Sequence, residues 1–182
     1  MDYGPNYVSG KKPPSLRRYI TMCTFSHYKG VYTFAEIALH MPQKHFLVVG
    51  RGNSDIDLPP NLTCWLDTQP SSFYAARKIM VAPAIWPEPF GRNPLEAMAN
   101  GIPVIASRIG GLPEAVGSAG VLVGDFRNYK VWVKHLRNLL ENKKLCQYLA
   151  QKGYMHCRRF DCEEQFPQFE AILARTVDCT SY

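Results

Sequence analysis

The sequence predicts an α/β protein whose parallel sheet is covered by helices on both faces. Two observations predict it. Six short, continuously apolar runs recur at residues 18–24, 45–49, 62–66, 79–83, 103–106 and 120–123. Strands that read apolar without alternation are buried on both faces, as parallel strands are. The segments between these runs carry helical periodicity or helix caps, so strand and helix alternate along the chain.

The elements follow in order. Residues 1–17 hold Gly4, Pro5, Gly10, Pro13 and Pro14 around Lys11 and Lys12, and read as an N-terminal arm or loop. The folded unit is expected over 18–182. Residues 18–24 (RYITMCT) form the first strand. Residues 31–40 form a short amphipathic helix with Val31, Phe34, Ala35 and Ala38 on one face, closed by Pro42. Residues 45–49 (HFLVV) are a buried strand ending at Gly50-Arg51-Gly52, and 62–66 a short strand. Residues 71–77 read as helical, with Ser71 or Ser72 as cap. Residues 79–83 (IMVAP) are a strand, 94–100 a helix, 103–106 a strand and 113–116 a helical turn. The last strand is 120–123 (GVLV), and three helices follow at 128–141, 143–157 and 161–176. This alternation defines a doubly wound, Rossmann-like architecture, in which ligands sit beyond the carboxyl ends of the strands. The positions to inspect are therefore 26–30, 50–53, Asp67, 85–93 and 107–111.

Composition narrows the function classes. At 182 residues, 46% apolar and 20% charged, the chain has the make-up of one globular domain and not of a disordered segment. No apolar run approaches the length of a membrane span, and the first residues lack an apolar signal core. The expected location is cytoplasmic. The six cysteines form no CxxC pair and read as reduced thiols. The five histidines form no H-x-x-H or H-E-x-x-H, so no metal site is expected. Of these histidines, only His27, beside Lys29, is placed near the ligand edge. The net charge of +6 is uneven: residues 127–159 hold nine Lys or Arg against the single acid Glu141. Such a face reads either as solvated helix surface or as one that meets an anionic partner, such as a membrane surface. Nucleic acid is not expected, since no arginine-rich tract, zinc finger or RNA-binding aromatic signature accompanies the charge.

The chemistry is concentrated in residues 83–114, PAIWPEPFGRNPLEAMANGIPVIASRIGGLPE. A strand ends at Pro83, a Pro- and Gly-rich loop follows, and a helix opens at Asn93-Pro94-Leu95-Glu96. Asn93 suits the N-cap and Pro94 the first helical position, which places Glu96 where a capping box puts its acid. A helix amino terminus at the carboxyl edge of the sheet is an anion site, and Gly91 lets a ligand approach the backbone. Glu88 reads either as a solvated loop acid or as an acceptor of ligand hydroxyls, and Glu96 either as a cap or as a second such acceptor. Gly110-Gly111 could be a plain turn. A ligand with a sugar, a diphosphate and a ribose would satisfy every group of the segment.

The segment closely resembles the donor-binding half of GT-B glycosyltransferases, in particular glycosyltransferase family 4. The resemblance stands on Glu88-Pro89-Phe90-Gly91, Glu96-Ala97-Met98-Ala99-Asn100-Gly101, Ile102-Pro103-Val104-Ile105 and Gly110-Gly111-Leu112-Pro113-Glu114. It runs weakly from about residue 18 to near 175. It implies half of a GT-B fold that binds a UDP-, GDP- or ADP-sugar and transfers the sugar with retention, without a metal or other cofactor. In the implied roles, Glu88, first acid of the E-x7-E pair, contacts the donor sugar and Glu96 holds the ribose. Phe90, Gly91, Arg92, Asn93 and Leu95 offer backbone N–H groups to sugar and diphosphate. Lys29, in the Lys29-Gly30 that matches the family's K-G, balances the diphosphate charge. Leu66 sits where the family's backbone meets the base. Asp55-Ile56-Asp57 resembles the metal signature of the other glycosyltransferase fold, but the surrounding pattern is GT-B.

Two departures accompany the resemblance. The family usually has an arginine five residues before the lysine, and this chain has Thr24, preceded by Cys23. Arg51, which follows Gly50 at the donor edge, or Arg92 would have to supply the missing cation. A GT-B enzyme also has a second Rossmann-like domain for the acceptor. An acceptor-domain chain or a second copy of this one is therefore an expected partner, with membrane contact through 127–159. The alternative reading is a binding module on the same fold that does not catalyse.

Overall fold

The computed structural model describes residues 18–50, 56–65 and 77–178. The predicted arm at 1–17, Gly52 and Asn53, Asp55 of the D-x-D, Asp67, most of the predicted helix at 71–77, and the site candidates Arg51 and Leu66 lie outside the described residues.

Six strands form one sheet: β1 (Tyr19–Cys23), β2 (His45–Val49), β3 (Leu62–Trp65), β4 (Arg77–Ala82), β5 (Val104–Ser107) and β6 (Val121–Val123). Every pairing is parallel, and the spatial order is β3-β2-β1-β4-β5-β6. This is the Rossmann order, and its direction reverses between β1 and β4. The helices among the described residues are α1 (Val31–Leu39), α2 (Arg92–Ala99), α3 (Leu112–Val116), α4 (Tyr129–Glu141), α5 (Lys143–Cys157) and α6 (Cys162–Asp178).

Successive strand residues face opposite layers, so the continuous apolar runs supply both. Ile20, Met22, Phe46, Val48, Ile79, Val81 and Ile105 pack against Phe34 and Ile37 of α1 and Trp132 and Leu136 of α4. Leu47, Met80, Val104 and Ala106 pack against Leu95 and Met98 of α2 and Leu112 and Ala115 of α3. Trp132 is wholly buried, and its Nε1 donates to the Phe126 carbonyl at 2.9 Å. Asn128 and Asn142 cap α4 and α5, accepting from the Lys130 and Leu145 amides.

Two local expectations are corrected. Arg77 opens β4 instead of closing a helix, and it is 0% exposed, with its guanidinium donating to Cys23 Sγ at 2.8 Å. Helix α2 starts one residue before Asn93, and its N-cap is Gly91 at φ 105°, with no side-chain cap bond. A left-handed glycine turns the chain into the helix here, so neither Asn93 nor Pro94 is needed for the start. Glu96 then lies in the second turn, beyond capping-box reach.

The surface has two distinctive faces. On α6, Phe166, Phe169, Ile172 and Leu173 are 46–61% exposed. On α4 and α5, Lys130, Lys134, Arg137, Lys143 and Lys144 are exposed. No helix among the described residues is long and apolar enough to cross a membrane.

Candidate functional site

A cleft of about 360 Å³ opens at the carboxyl edge of the sheet, where the strand order reverses between β1 and β4. Three segments build it. The end of β1 and the loop after it supply Cys23 and Lys29, the loop after β4 supplies Pro83, Ala84 and residues 88–91, and the amino end of α2 supplies Arg92, Asn93 and Pro94. Loops that leave adjacent strands on opposite courses open a crevice, and α2 points its amino terminus into it.

The charged groups around the cleft are paired with one another. Lys29 Nζ donates to Glu88 Oε1 across the cleft, with side chains 32% and 14% exposed. Arg92 Nε lies 3.3 Å from Glu96 Oε1, with Arg92 70% and Glu96 10% exposed. Glu96 does not line the cleft itself; it sits beneath Arg92, which does. Of the two acids, Glu88 alone lines the hollow, and Glu96 is linked to it only by the ion pair with Arg92.

The Glu88 loop is held from below by Gly110-Gly111. The Gly111 amide donates to the Glu88 carbonyl at 2.6 Å. A Cβ at Gly111 would stand 2.3 Å from the Pro89 oxygen, and one at Gly110 would stand 2.4 Å from the Glu88 oxygen. The diglycine is thus a seat for the acid-bearing loop, beyond a plain turn. Phe90 is held by the Phe160 ring, whose centroid lies 5.3 Å away at 70°. Phe160 is in turn braced by His156 at 5.6 Å.

The sequence-derived candidates fall into two groups. Lys29, Glu88, Phe90, Gly91, Arg92 and Asn93 line the cleft together. Leu95, Glu96 and Gly50 do not line it. Leu95 is buried in the core and its amide bonds the Gly91 carbonyl at 3.4 Å, so that amide is engaged within the helix. The Gly50 amide donates to the Trp65 carbonyl at 2.9 Å. His27 lies on the neighbouring rim.

Two contributors escape sequence reasoning. Cys23 forms part of the cleft wall, and burial pushes its thiol up against the opposing pull of Arg77. Arg77 places a guanidinium behind that wall, bonded to Cys23 and, at 3.3 Å, to Met80 Sδ. An isolated Arg before an apolar strand carries no pattern that would signal this. Thr24, which follows Cys23, has φ 70° and is the only non-glycine at positive φ among the described residues. Backbone strain of this kind collects at functional edges.

The cleft can do three things chemically. It can take an anion at Lys29, Arg92 and the α2 amino terminus. It can accept hydroxyl hydrogen bonds at Glu88. It can bring an apolar ring or ribose against Phe90, Pro89 and Leu112.

Comparison with known proteins follows the same lines. The model of the family described as Glycosyl transferases group 1 matches residues 61–156. The D-inositol 3-phosphate glycosyltransferase of Corynebacterium efficiens is 33% identical over 123 residues, which are 63% of this chain and 28% of that protein. The O-antigen chain mannosyltransferase B of Escherichia coli is 34% identical over 90 residues, 50% of this chain and 23% of that protein. The chain spans under a third of the length of these curated relatives. Among solved structures, Anabaena HepE in complex with UDP-glucose has a TM-score of 0.76 at 21% identity, covering 89% of this chain and 50% of that one. The C-terminal domain of a glycosyl transferase group 1 family protein from Francisella tularensis has a TM-score of 0.62 at 25% identity, covering 78% of this chain and 86% of that domain.

Proposed function

The chain belongs to the glycosyl transferases group 1 family, and from that premise we propose that its cleft binds a nucleoside-diphosphate sugar as the donor half of a glycosyltransferase. The observation that carries the reading is the grouping of Lys29, Glu88, Arg92 and the α2 amino terminus around one hollow at the sheet's switch point. The diphosphate takes Lys29, Arg92 and the free amides of α2's first turn. Donor-sugar hydroxyls take Glu88, and the ribose lies toward Glu96. Anabaena HepE, similar in fold, was solved with UDP-glucose, which supports a nucleotide sugar as the ligand class. Transfer proceeds with retention and without a metal; Lys29 and the helix dipole stabilise the departing diphosphate.

Transfer needs an acceptor-binding domain, another chain or a second copy. This is supported by the apolar face of α6, where Phe166, Phe169, Ile172 and Leu173 are exposed. The basic face of α4 and α5 meets an anionic membrane surface from the cytoplasmic side.

A second reading, a nucleotide-sugar-binding module without turnover, is favoured by Thr24 at the position where the resemblance has an arginine. Arg77 and Arg92 do not replicate a free cation there: one is buried behind Cys23 and the other pairs with Glu96.

The test is calorimetric titration of UDP, GDP and ADP and their glucose or mannose conjugates into the chain, then donor hydrolysis and transfer assays. Donor binding with hydrolysis or transfer is expected. Binding without turnover selects the second reading, and absence of binding by every nucleotide overturns both.

A further inference from the structure

His156 does not line the donor cleft, yet the support beneath the Glu88 loop ends on its ring. It stands half-buried in the last turn of α5. Its Nε2 donates to the Ala115 carbonyl at 3.1 Å. The Ala115 amide donates to the Gly111 carbonyl at 3.0 Å, and the Gly111 amide donates to the Glu88 carbonyl at 2.6 Å. Three hydrogen bonds thus run head to tail from the imidazole, through α3, to the backbone of the acid that lines the cleft. Ala115 also lies beneath Gly91, the cap of α2: a Cβ at Gly91 would stand 3.3 Å from Ala115 Cβ. The imidazole itself is held on two sides. Phe160 meets it at 5.6 Å and 67°, and a Cβ at Gly117 would stand 2.8 Å from its Cε1.

We infer that His156 is a positioning residue for the donor cleft, acting on Glu88 through this relay. The inference rests on the donor reading, because it gives the relay a ligand to serve. Helix α3 has five residues, too few to hold its own shape, so its place is set by what it touches. Its amino end carries the Glu88 loop and its carboxyl end is tied to His156. Hydrogen bonds aligned in a chain polarise one another, so the bond at Glu88 depends on the bond at the imidazole. The acceptor at Ala115 is a carbonyl, which requires an N–H at Nε2. Phe160 and Gly117 leave the ring little freedom to turn away from it. A binding group displaced by a fraction of an ångström loses the contacts it is placed to make. Phenylalanine at 156 keeps a ring and loses the donor, and glutamine keeps a donor at a similar reach.

The experiment uses the full chain with the variants His156→Phe and His156→Gln. Calorimetry measures UDP and UDP-glucose binding, and NMR measures exchange of the Gly111 amide without ligand. In His156→Phe the Gly111 amide is expected to exchange faster and UDP-glucose to bind about tenfold more weakly, as for one hydrogen bond lost. UDP should stay within about twofold of the parent, because the relay ends on the acid assigned to the sugar and not on Lys29 or Arg92. His156→Gln should recover the Gly111 protection and most of the UDP-glucose affinity. Equal losses for the two ligands, or no loss for either, overturn the positioning role and leave the donor reading standing. A lower melting temperature with both affinities intact assigns His156 to packing alone and overturns it too. A glutamine variant that binds UDP-glucose no better than the phenylalanine variant removes the N–H from the relay and overturns the inference. Failure of the parent to bind either ligand overturns the donor reading, and the positioning role falls with it.

Discussion

Lys29 and Glu88, 59 residues apart in the chain, close on each other as an ion pair across the cleft. The pair satisfies both groups, and each group has a different use toward a ligand. A diphosphate competes for Lys29, and a hydroxyl-bearing sugar competes for Glu88.

That competition separates two ligands. Glu88→Gln is expected to weaken UDP-glucose binding by about 1–3 kcal/mol, the cost of a lost hydrogen bond to a charged acceptor. Bare UDP should bind no more weakly than to the parent, because Lys29 is released toward the diphosphate. Calorimetric titration of both ligands into both proteins checks this. Equal losses for the two ligands would remove Glu88 from the sugar end.

Gly111→Ala tests whether the diglycine seats the Glu88 loop. The backbone at Gly111 is right-handed, so the effect is steric alone. The new methyl would stand 2.3 Å from the Pro89 oxygen and 2.8 Å from Phe90 Cα. The loop must lift, with a stability loss of about 1–3 kcal/mol, as overpacking costs elsewhere. Urea denaturation measures that loss, and UDP-glucose affinity should fall with it. An unchanged affinity in a folded variant would show that the loop is positioned by something else.

Where the sequence was legible, one physical cause set the residue pattern. Residues 45–49 and 79–83 read as strands because a sheet covered on both faces requires apolar side chains at every position. The cleft residues Lys29, Glu88, Phe90 and Arg92 were legible because they follow strand ends and fall in a dense motif. Arg77 was not: a lone arginine before an apolar run reads as a helix end, and only the fold shows it buried behind Cys23. The start of α2 was not, because Asn93-Pro94 is a strong local start that the left-handed Gly91 overrides. The Lys29–Glu88 pair joins two loops that are neighbours only through the order of β1 and β4, and no local window contains both.

Ser107 offers a stabilising substitution. It is wholly buried at the end of β5, and its Oγ has no hydrogen-bond partner among the described residues. A desolvated hydroxyl without a partner costs folding energy. Ser107→Ala should therefore raise stability by about 0.5–1 kcal/mol, read as a higher urea midpoint with an unchanged slope. A lower midpoint would mean that the hydroxyl is satisfied in solution.

His135, in α4, sets a pH dependence whose sign follows from its surroundings. Burial first, and the neighbouring Lys134 charge second, hold its pKa below the ordinary 6.5. Well above pH 6.5 the ring is neutral in both folded and unfolded chains and contributes nothing to the difference between them. As pH falls below 6.5, the unfolded chain takes up the proton before the folded one, and stability declines until the folded ring titrates as well. His135→Gln abolishes this uptake. Urea midpoints of the two proteins should run parallel from pH 8 to 7 and diverge between pH 6.5 and 5, with the variant losing less. Carboxylates elsewhere titrate equally in both proteins, so the difference between the curves isolates the ring. Parallel curves through pH 5 would show that α4 leaves His135 as free to protonate in the fold as in the open chain.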